Sequence, residues 1–205
     1  MVRFVESHSC TYANGILDYS SILCFVGTNR GNFATFKILP SSSGTYSVSF
    51  VGSCSLDNRI LAIFPIDSDT GNPAAATQSV VSDLRNGHKV NGIIVAVTPT
   101  GCRMFRPATA KGAHKNWDEF MCDSAAMVKT GQSHSLVGVF GDGKARAYSI
   151  PGLKEIGSSQ IDHILDVRRL GQAAISPSGD ILGWAGPSEV AMVNVWGAGL
   201  TLWAS

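Results

Sequence analysis

The residues "GVFGDGKA", Gly138 to Ala145, have the spacing of a phosphate-binding loop, two glycines followed by lysine. That chemistry needs a Ser/Thr after the lysine to hold Mg²⁺, and a helix whose N-terminus supplies the anion site. Here Ala145 stands at the hydroxyl position, and "ARAYSIPG" follows, which reads as a strand ended by proline. The spacing therefore predicts a hairpin turn at Gly141-Asp142-Gly143 and no nucleotide site. "DSDTGN", Asp67 to Asn72, opens like a calcium loop but has Gly71 at the third acidic place and Gln78 where a bidentate Glu belongs. It too reads as a turn.

The histidines are His8, His88, His114, His134 and His163, and none has a zinc-ligand spacing to another. The cysteines are Cys10, Cys24, Cys54, Cys102 and Cys122, an odd, widely spaced set without a C-x-x-C. A Cys/His nucleophilic pair meets only in space, so the sequence names none. No Asn-x-Ser/Thr acceptor is present. These features point to a reducing, intracellular setting with most cysteines as small buried hydrophobes. No catalytic residue, cofactor or metal ligand is assigned, and the expectation is a protein that is not an enzyme.

Two basic groups remain as contact candidates. "ATAKGAHKNW" carries Lys111, His114 and Lys115, and "DVRRL" carries Arg168 and Arg169. Either could meet an acidic partner or anionic lipid headgroups, or be an ordinary solvated turn. Lys and Arg total 16 against 15 Asp and Glu, with no basic stripe, so nucleic-acid binding is not expected.

The elements that would position these groups are strands. In "SPSGDILGWAGPSEVAMVNVW", Ser176 to Trp196, turn residues alternate with short apolar runs, the pattern of a hairpin. Similar hairpins occur in Ile22–Pro40, turning at Asn29-Arg30-Gly31; in Gly92–Pro107, turning at Pro99-Thr100-Gly101; and in Ser135–Gly152, turning at Gly141-Asp142-Gly143. "YSVSFVG" reads as an outer strand; "RILAIFPID", "AAMVKT" and "GQAAISPSG" read as innermost strands ahead of their hairpins. The later hairpins recur about every 43–45 residues, a propeller-blade period. Only 15% of the residues are charged and 22 are glycine, which suits a turn-rich β protein.

The fold expected is all-β: a WD40-like β-propeller of about four degenerate blades, roughly 1–56, 57–118, 119–161 and 162–205, with an insertion at 67–91. A β-sandwich is the alternative without the period. Lys37, Arg106, Ser149 and Asn194 stand where the Trp-Asp motif would place aspartate, so packing and ladder hydrogen bonds are expected to hold the blades. Within the insertion, Ala74–Arg85 could form a short helix or a solvated loop. Four blades are fewer than such repeats usually close with, and both ends read as cut, so the propeller is expected to be incomplete and the chain a fragment. No signal peptide or run of about 20 apolar residues is present.

"GTNRGNFATFKILP", "FRPATAKGAHK" and "GDGKARAYSIPGLKEI" resemble the C-terminal propeller of the lethal giant larvae/tomosyn family, especially its fungal Sro-type members. The resemblance spans nearly all of Ile22–Trp196, and the stretch from Ala145 to Ile156 is its most specific part. It implies a non-enzymatic regulator of polarised exocytosis and vesicle docking. The implied partners are t-SNAREs of the syntaxin and SNAP-25 classes and a secretory Rab GTPase. The implied location is cytoplasmic, peripheral at the cytoplasmic face of the plasma membrane. A first propeller and the SNARE-like coiled-coil tail of tomosyns have no counterpart in these residues. A generic WD40 interaction scaffold with unrelated partners is the second reading.

Overall fold

The computed structural model describes residues 10–18, 21–40, 44–74, 92–106, 112–117, 119–130 and 133–194. Lys111 and most of the 67–91 insertion, including the Ala74–Arg85 helix candidate beyond Ala74, lie outside them. Among the described residues no helix is long and apolar enough to cross a membrane, which says nothing of a β-barrel.

The alternating and apolar runs form four antiparallel sheets, met one after another along the chain. The first has the order β1 (Cys10–Asp18), β2 (Ser21–Thr28), β3 (Asn32–Pro40), β4 (Tyr46–Ser55). The second is β5 (Ala62–Asp67), β6 (Gly92–Thr98), β7 (Gly101–Phe105), β8 (His114–Asn116). The third runs through β9 (Cys122–Thr130), β10 (Ser133–Phe140), β11 (Lys144–Ser149) and β12 (Glu155–Gln160), and the fourth through β13 (Ala174–Ile175), β14 (Asp180–Trp184) and β15 (Val190–Asn194). Sequential strands are neighbours throughout, as blade-type sheets require. The fold is all-β, with four sheets of propeller-blade type.

The chain divides into two compact units, Met1–Asp69 with Ala74–His114, and Thr70–Pro73 with Lys115–Ser205. The first is organised around Leu23, Phe25, Phe33, Leu56, Ile60, Ile63, Ile94, Ala96 and Phe105, all buried. Phe33 stacks beside Phe25 at 6.1 Å and meets Phe105 edge-on at 5.0 Å. Each such side chain contributes about 1.5–3 kcal/mol when fully buried. Gly31 closes the β2–β3 turn at φ 79°, and a Cβ there would run into the carbonyl oxygens of Leu56 and Asn58. Leu56 N–H donates to the Gly31 carbonyl at 2.8 Å, so the turn and the chain leaving β4 share one close contact. Thr35 is fully buried in β3 beside a bulge, and its Oγ1 has no hydrogen-bond partner among the described residues.

The second unit packs its two sheets through Val139, Ala145, Ile161, Leu165, Leu170, Ile181 and Val193. The Gly141-Asp142-Gly143 stretch is the β10–β11 turn, and the strand begins at Lys144 itself, so no helix opens where a phosphate loop would need one. "DSDTGN" is likewise a turn, with Asp69 N–H donating to Asp67 Oδ1 and Asn72 N–H to Thr70 Oγ1.

Two expectations change. The innermost strand read into 171–179 is reduced to Ala174–Ile175, because Val167–Gln172 winds into a 3-10 helix that drives Leu170 into the core. In the last sheet, packing is supplemented by a polar network that stands in for the missing Trp-Asp motif. Asp180 accepts from Ser178 Oγ at 2.7 Å, Ser176 Oγ at 3.2 Å and Asn194 Nδ2 at 2.5 Å. These donors, led by Ser178, hold the Asp180 carboxyl below its ordinary value.

Three outcomes are expected. Thr35→Val should stabilise the fold by about 1 kcal/mol in denaturant unfolding, since it removes an unpaired buried hydroxyl at nearly constant volume. Gly31→Ala should destabilise it by roughly 2–4 kcal/mol through strain at positive φ and the carbonyl clash. A carboxyl whose folded pKa is depressed stabilises above its unfolded value, 3.8, and that contribution is lost as pH falls through the folded one. Asp180→Asn should therefore flatten the thermal-melt profile below about pH 4, with the wild-type advantage vanishing in strong acid.

Candidate functional site

Three sets of polar or reactive side chains lie within the described residues, two of them lining clefts in the second unit. In the first, Asp166 carries the arrangement. Its backbone is extended (φ −68°, ψ 108°), and its carboxylate caps the 3-10 helix by accepting from Arg168 N–H at 3.1 Å. The same carboxylate takes Arg168 Nε at 3.1 Å and Nη2 at 3.2 Å. Arg169 Nε stands 3.9 Å away, and its guanidinium lies 5.2 Å over the Trp184 ring. Asp166 N–H donates to the Trp184 carbonyl at 2.6 Å, tying the loop to β14. The hydrogen bonds from Arg168, foremost among these contacts, lower the Asp166 pKa, and Asp166 raises that of Arg168.

Local sequence explains this shape. Leu165 and Leu170 are pinned in the core, so the residues between them must turn tightly outward. The result is a cleft of about 510 Å³ lined by Asp162, His163, Asp166, Arg168, Arg169 and Pro187 among others. Arg168 keeps 89% of its side chain exposed. With two carboxylates beside the two arginines, the cleft is a hydrogen-bonding surface of mixed charge, and its attraction for a distant anion is weak.

The second set is centred on aromatic rings. Trp117 packs edge-on to Phe140 at 5.4 Å and at a tilt against Tyr148 at 5.1 Å. All three rings are buried. Arg146 covers Phe140 at 4.7 Å and Lys115 covers Tyr148 at 5.5 Å, both as cation–π contacts. Arg146 is also held by Asp142 in the hairpin turn, Nη1 to Oδ1 at 2.9 Å and Nη2 to Oδ2 at 2.5 Å. That bidentate bond is the main reason the Asp142 carboxyl is held below its usual range. A groove of about 370 Å³ opens beside the rings, with Glu119, Lys144 and Glu155 among its lining residues.

The third set holds the possible nucleophiles. Burial pushes the Cys122 thiol up to about 12, and burial also raises Cys24 and Cys54. These three are thiols, not thiolates, at neutral pH. His134 is drawn down by desolvation and by Lys129, and its Nδ1 lies 3.0 Å from Asn72 Oδ1. Among the described residues no cluster of three or more His, Cys, Asp or Glu could hold a metal.

The sequence candidates fall as follows. Arg168 and Arg169 share one cleft and one carboxylate. Lys115 lies against Tyr148, while its neighbour His114 is exposed on β8. Lys111 lies outside the described residues. Sequence reasoning missed Trp117, Phe140, Arg146 and Tyr148. The available signal was the alternation Lys144, Arg146, Tyr148 along β11, which puts all three on one face directly after an acidic turn.

Comparison with known proteins adds the lineage. Residues 11–204 match the model of the family described as "Lethal giant larvae(Lgl) like, C-terminal". The chain is 26% identical over 198 residues to the Lethal(2) giant larvae protein homolog SRO77 of Saccharomyces cerevisiae, covering 92% of this chain and 20% of that one. It is 33% identical over 188 residues to an uncharacterised protein of Schizosaccharomyces pombe, covering 89% of this chain and 19% of that one. It thus spans about a fifth of the length of these relatives. Among solved structures, the crystal structure of BBS1N in complex with ARL6DN, soaked with mercury, superposes with a TM-score of 0.58 at 9% identity. That match covers 98% of this chain and 55% of the other, whose fold is β-propeller-like. Hairpin period, blade-type sheets and a family match across 11–204 agree, and the chain belongs to the lethal giant larvae-like family, within its C-terminal region.

Proposed function

We propose that this chain is a binding surface of a non-enzymatic regulator of polarised exocytosis, acting in vesicle docking at the plasma membrane. The family match across residues 11–204 carries this reading. The partners are t-SNAREs of the syntaxin and SNAP-25 classes and a secretory Rab GTPase. The mechanism is stoichiometric: a rigid surface holds a partner and changes how much of it is available for fusion. The protein works from the cytoplasm, peripherally at the membrane.

The geometry supports binding over turnover. Backbone pairing fixes the blades, and charged groups are already hydrogen-bonded to one another, as the exposed Arg168 is to Asp166 and the half-buried Arg146 to Asp142. Such groups orient a partner more than they attract one. Arg168 and Arg169 are the contact residues proposed first, with Lys115 and His114 beside the aromatic groove and on β8, and Lys111 near them in sequence.

The test uses the full-length protein as bait for purified syntaxin-class and SNAP-25-class t-SNAREs and a GTP-loaded secretory Rab. At least one should be retained. Reversing both arginines, Arg168→Glu with Arg169→Glu, should weaken that retention about 5–10-fold while the thermal melt stays within a few degrees of wild type. Retention of none of the three by a folded protein overturns the exocytic reading and favours a scaffold for other partners.

A further inference from the structure

Two ion pairs in the second unit share a chemistry and differ in setting. Asp142 and Arg146 keep 11% and 18% of their side chains exposed, and the guanidinium covers the Phe140 ring. That pair is part of the packing. Asp166 keeps 15% of its side chain exposed, but its partner Arg168 keeps 89%. An ion pair with so exposed a partner adds little to stability. Capping the 3-10 helix needs an oxygen acceptor and no charge, since Ser and Asn cap as well as Asp. Stability and capping therefore leave the charge of Asp166 unexplained.

What the charge does is occupy the arginines. The carboxylate is held in place by the Arg168 N–H at 3.1 Å, and the residue's own N–H is tied to the Trp184 carbonyl at 2.6 Å. Against this carboxylate Arg168 lays Nε at 3.1 Å and Nη2 at 3.2 Å, the two-point geometry in which a guanidinium receives a carboxylate. Arg169 Nε stands 3.9 Å from the same group, with its guanidinium over Trp184. Asp162 also lines the cleft, so two carboxylates offset two guanidinium groups there. All of these residues lie between 162 and 187, so the arrangement is complete within one short stretch of chain.

We propose that Asp166 is an autoinhibitory contact, an internal stand-in for a carboxylate of an acidic peptide segment, which takes its place on Arg168. This rests on the reading of Arg168 and Arg169 as contact residues. Asp166 keeps the helix cap when Arg168 swings away, so the exchange costs little structure. Its consequence is selectivity. A lone acidic group gains nothing by replacing a carboxylate already in place. A partner must bring its carboxylate into the plane of Arg168 and add further contacts across the cleft. A layer of lipid headgroups offers charge without that geometry, and the offset cleft attracts it weakly.

Binding of fluorescently labelled poly-L-glutamate to the full-length protein, read by anisotropy at about 0.1 M salt, tests it. Asp166→Asn keeps an acceptor for the cap and removes the competing charge, and it should bind the polymer about 3–5-fold more tightly than the wild type. Asp166→Glu, which keeps a carboxylate, should stay near the wild type. Made in a background of Arg168→Gln with Arg169→Gln, Asp166→Asn should lose most of its gain, a dependence that a purely structural role for Asp166 would not produce. Vesicles with about 30% phosphatidylserine should gain less than the polymer does. Should Asp166→Asn lower the melting temperature by more than a few degrees, Asp166→Ser, which also caps, replaces it. A folded variant that gains nothing, or a gain undiminished without both arginines, would overturn the proposal. A larger gain on vesicles would overturn it in favour of lipid headgroups. The polymer assay contains no t-SNARE and no Rab, so its failure is distinct from failure of the exocytic reading.

Discussion

A sheet with two apolar faces cannot stand alone in water, and this constraint organises the chain. β6 shows it most plainly: Ile94, Val95, Ala96 and Val97 are all fully buried, so both faces of the strand are covered. β10 does the same with Leu136, Val137, Val139 and Phe140. Within each compact unit, laying one sheet against the next covers one face of each. Phe25, Phe33 and Phe105 fill the gap in the first unit, and Leu165, Leu170 and Ile181 fill it in the second. The turns, caps and clefts are arranged around those two cores.

What lies outside the cores gives the chain its surface character. The 3-10 helix exists because two leucines are anchored inward, and the arginines between them are displayed outward as a consequence. The aromatic set around Trp117 has a related origin. Bulky rings at the end of a blade seal its core, and Arg146 and Lys115 use their long apolar stems and charged heads to cover the ring faces. In both, carboxylate and guanidinium satisfy one another. Charges paired in this way are already oriented in the free chain.

The absence of the Trp-Asp motif is compensated unevenly. In the last sheet Asp180, two serines and Asn194 rebuild a polar clasp from different residue types. In the first sheet the work is done by apolar contact and by the close approach of Gly31 to the chain after β4. That sheet is also the one whose outer strand keeps an apolar, uncharged face.

The sequence by itself determined the class of fold and the sites of its turns. Asn29-Arg30-Gly31, Pro99-Thr100-Gly101, Gly141-Asp142-Gly143 and Ser176–Gly179 are turns because local backbone preference requires them, and alternation between them can only be strand. It also disposed of the phosphate-loop and calcium-loop spacings, since each fails at a residue whose chemistry is indispensable. Only the tertiary structure decided how far the strand before the last hairpin extends, because the 3-10 helix that buries Leu170 runs on to Gln172, over the first two residues of the strand read at 171–179. It alone showed Asp142 clasping Arg146, and Trp117 meeting Phe140 and Tyr148 from well apart in the chain. Turn chemistry acts over four residues and is written in the chain; contacts across a core depend on which sheets pack together, and no local pattern records that.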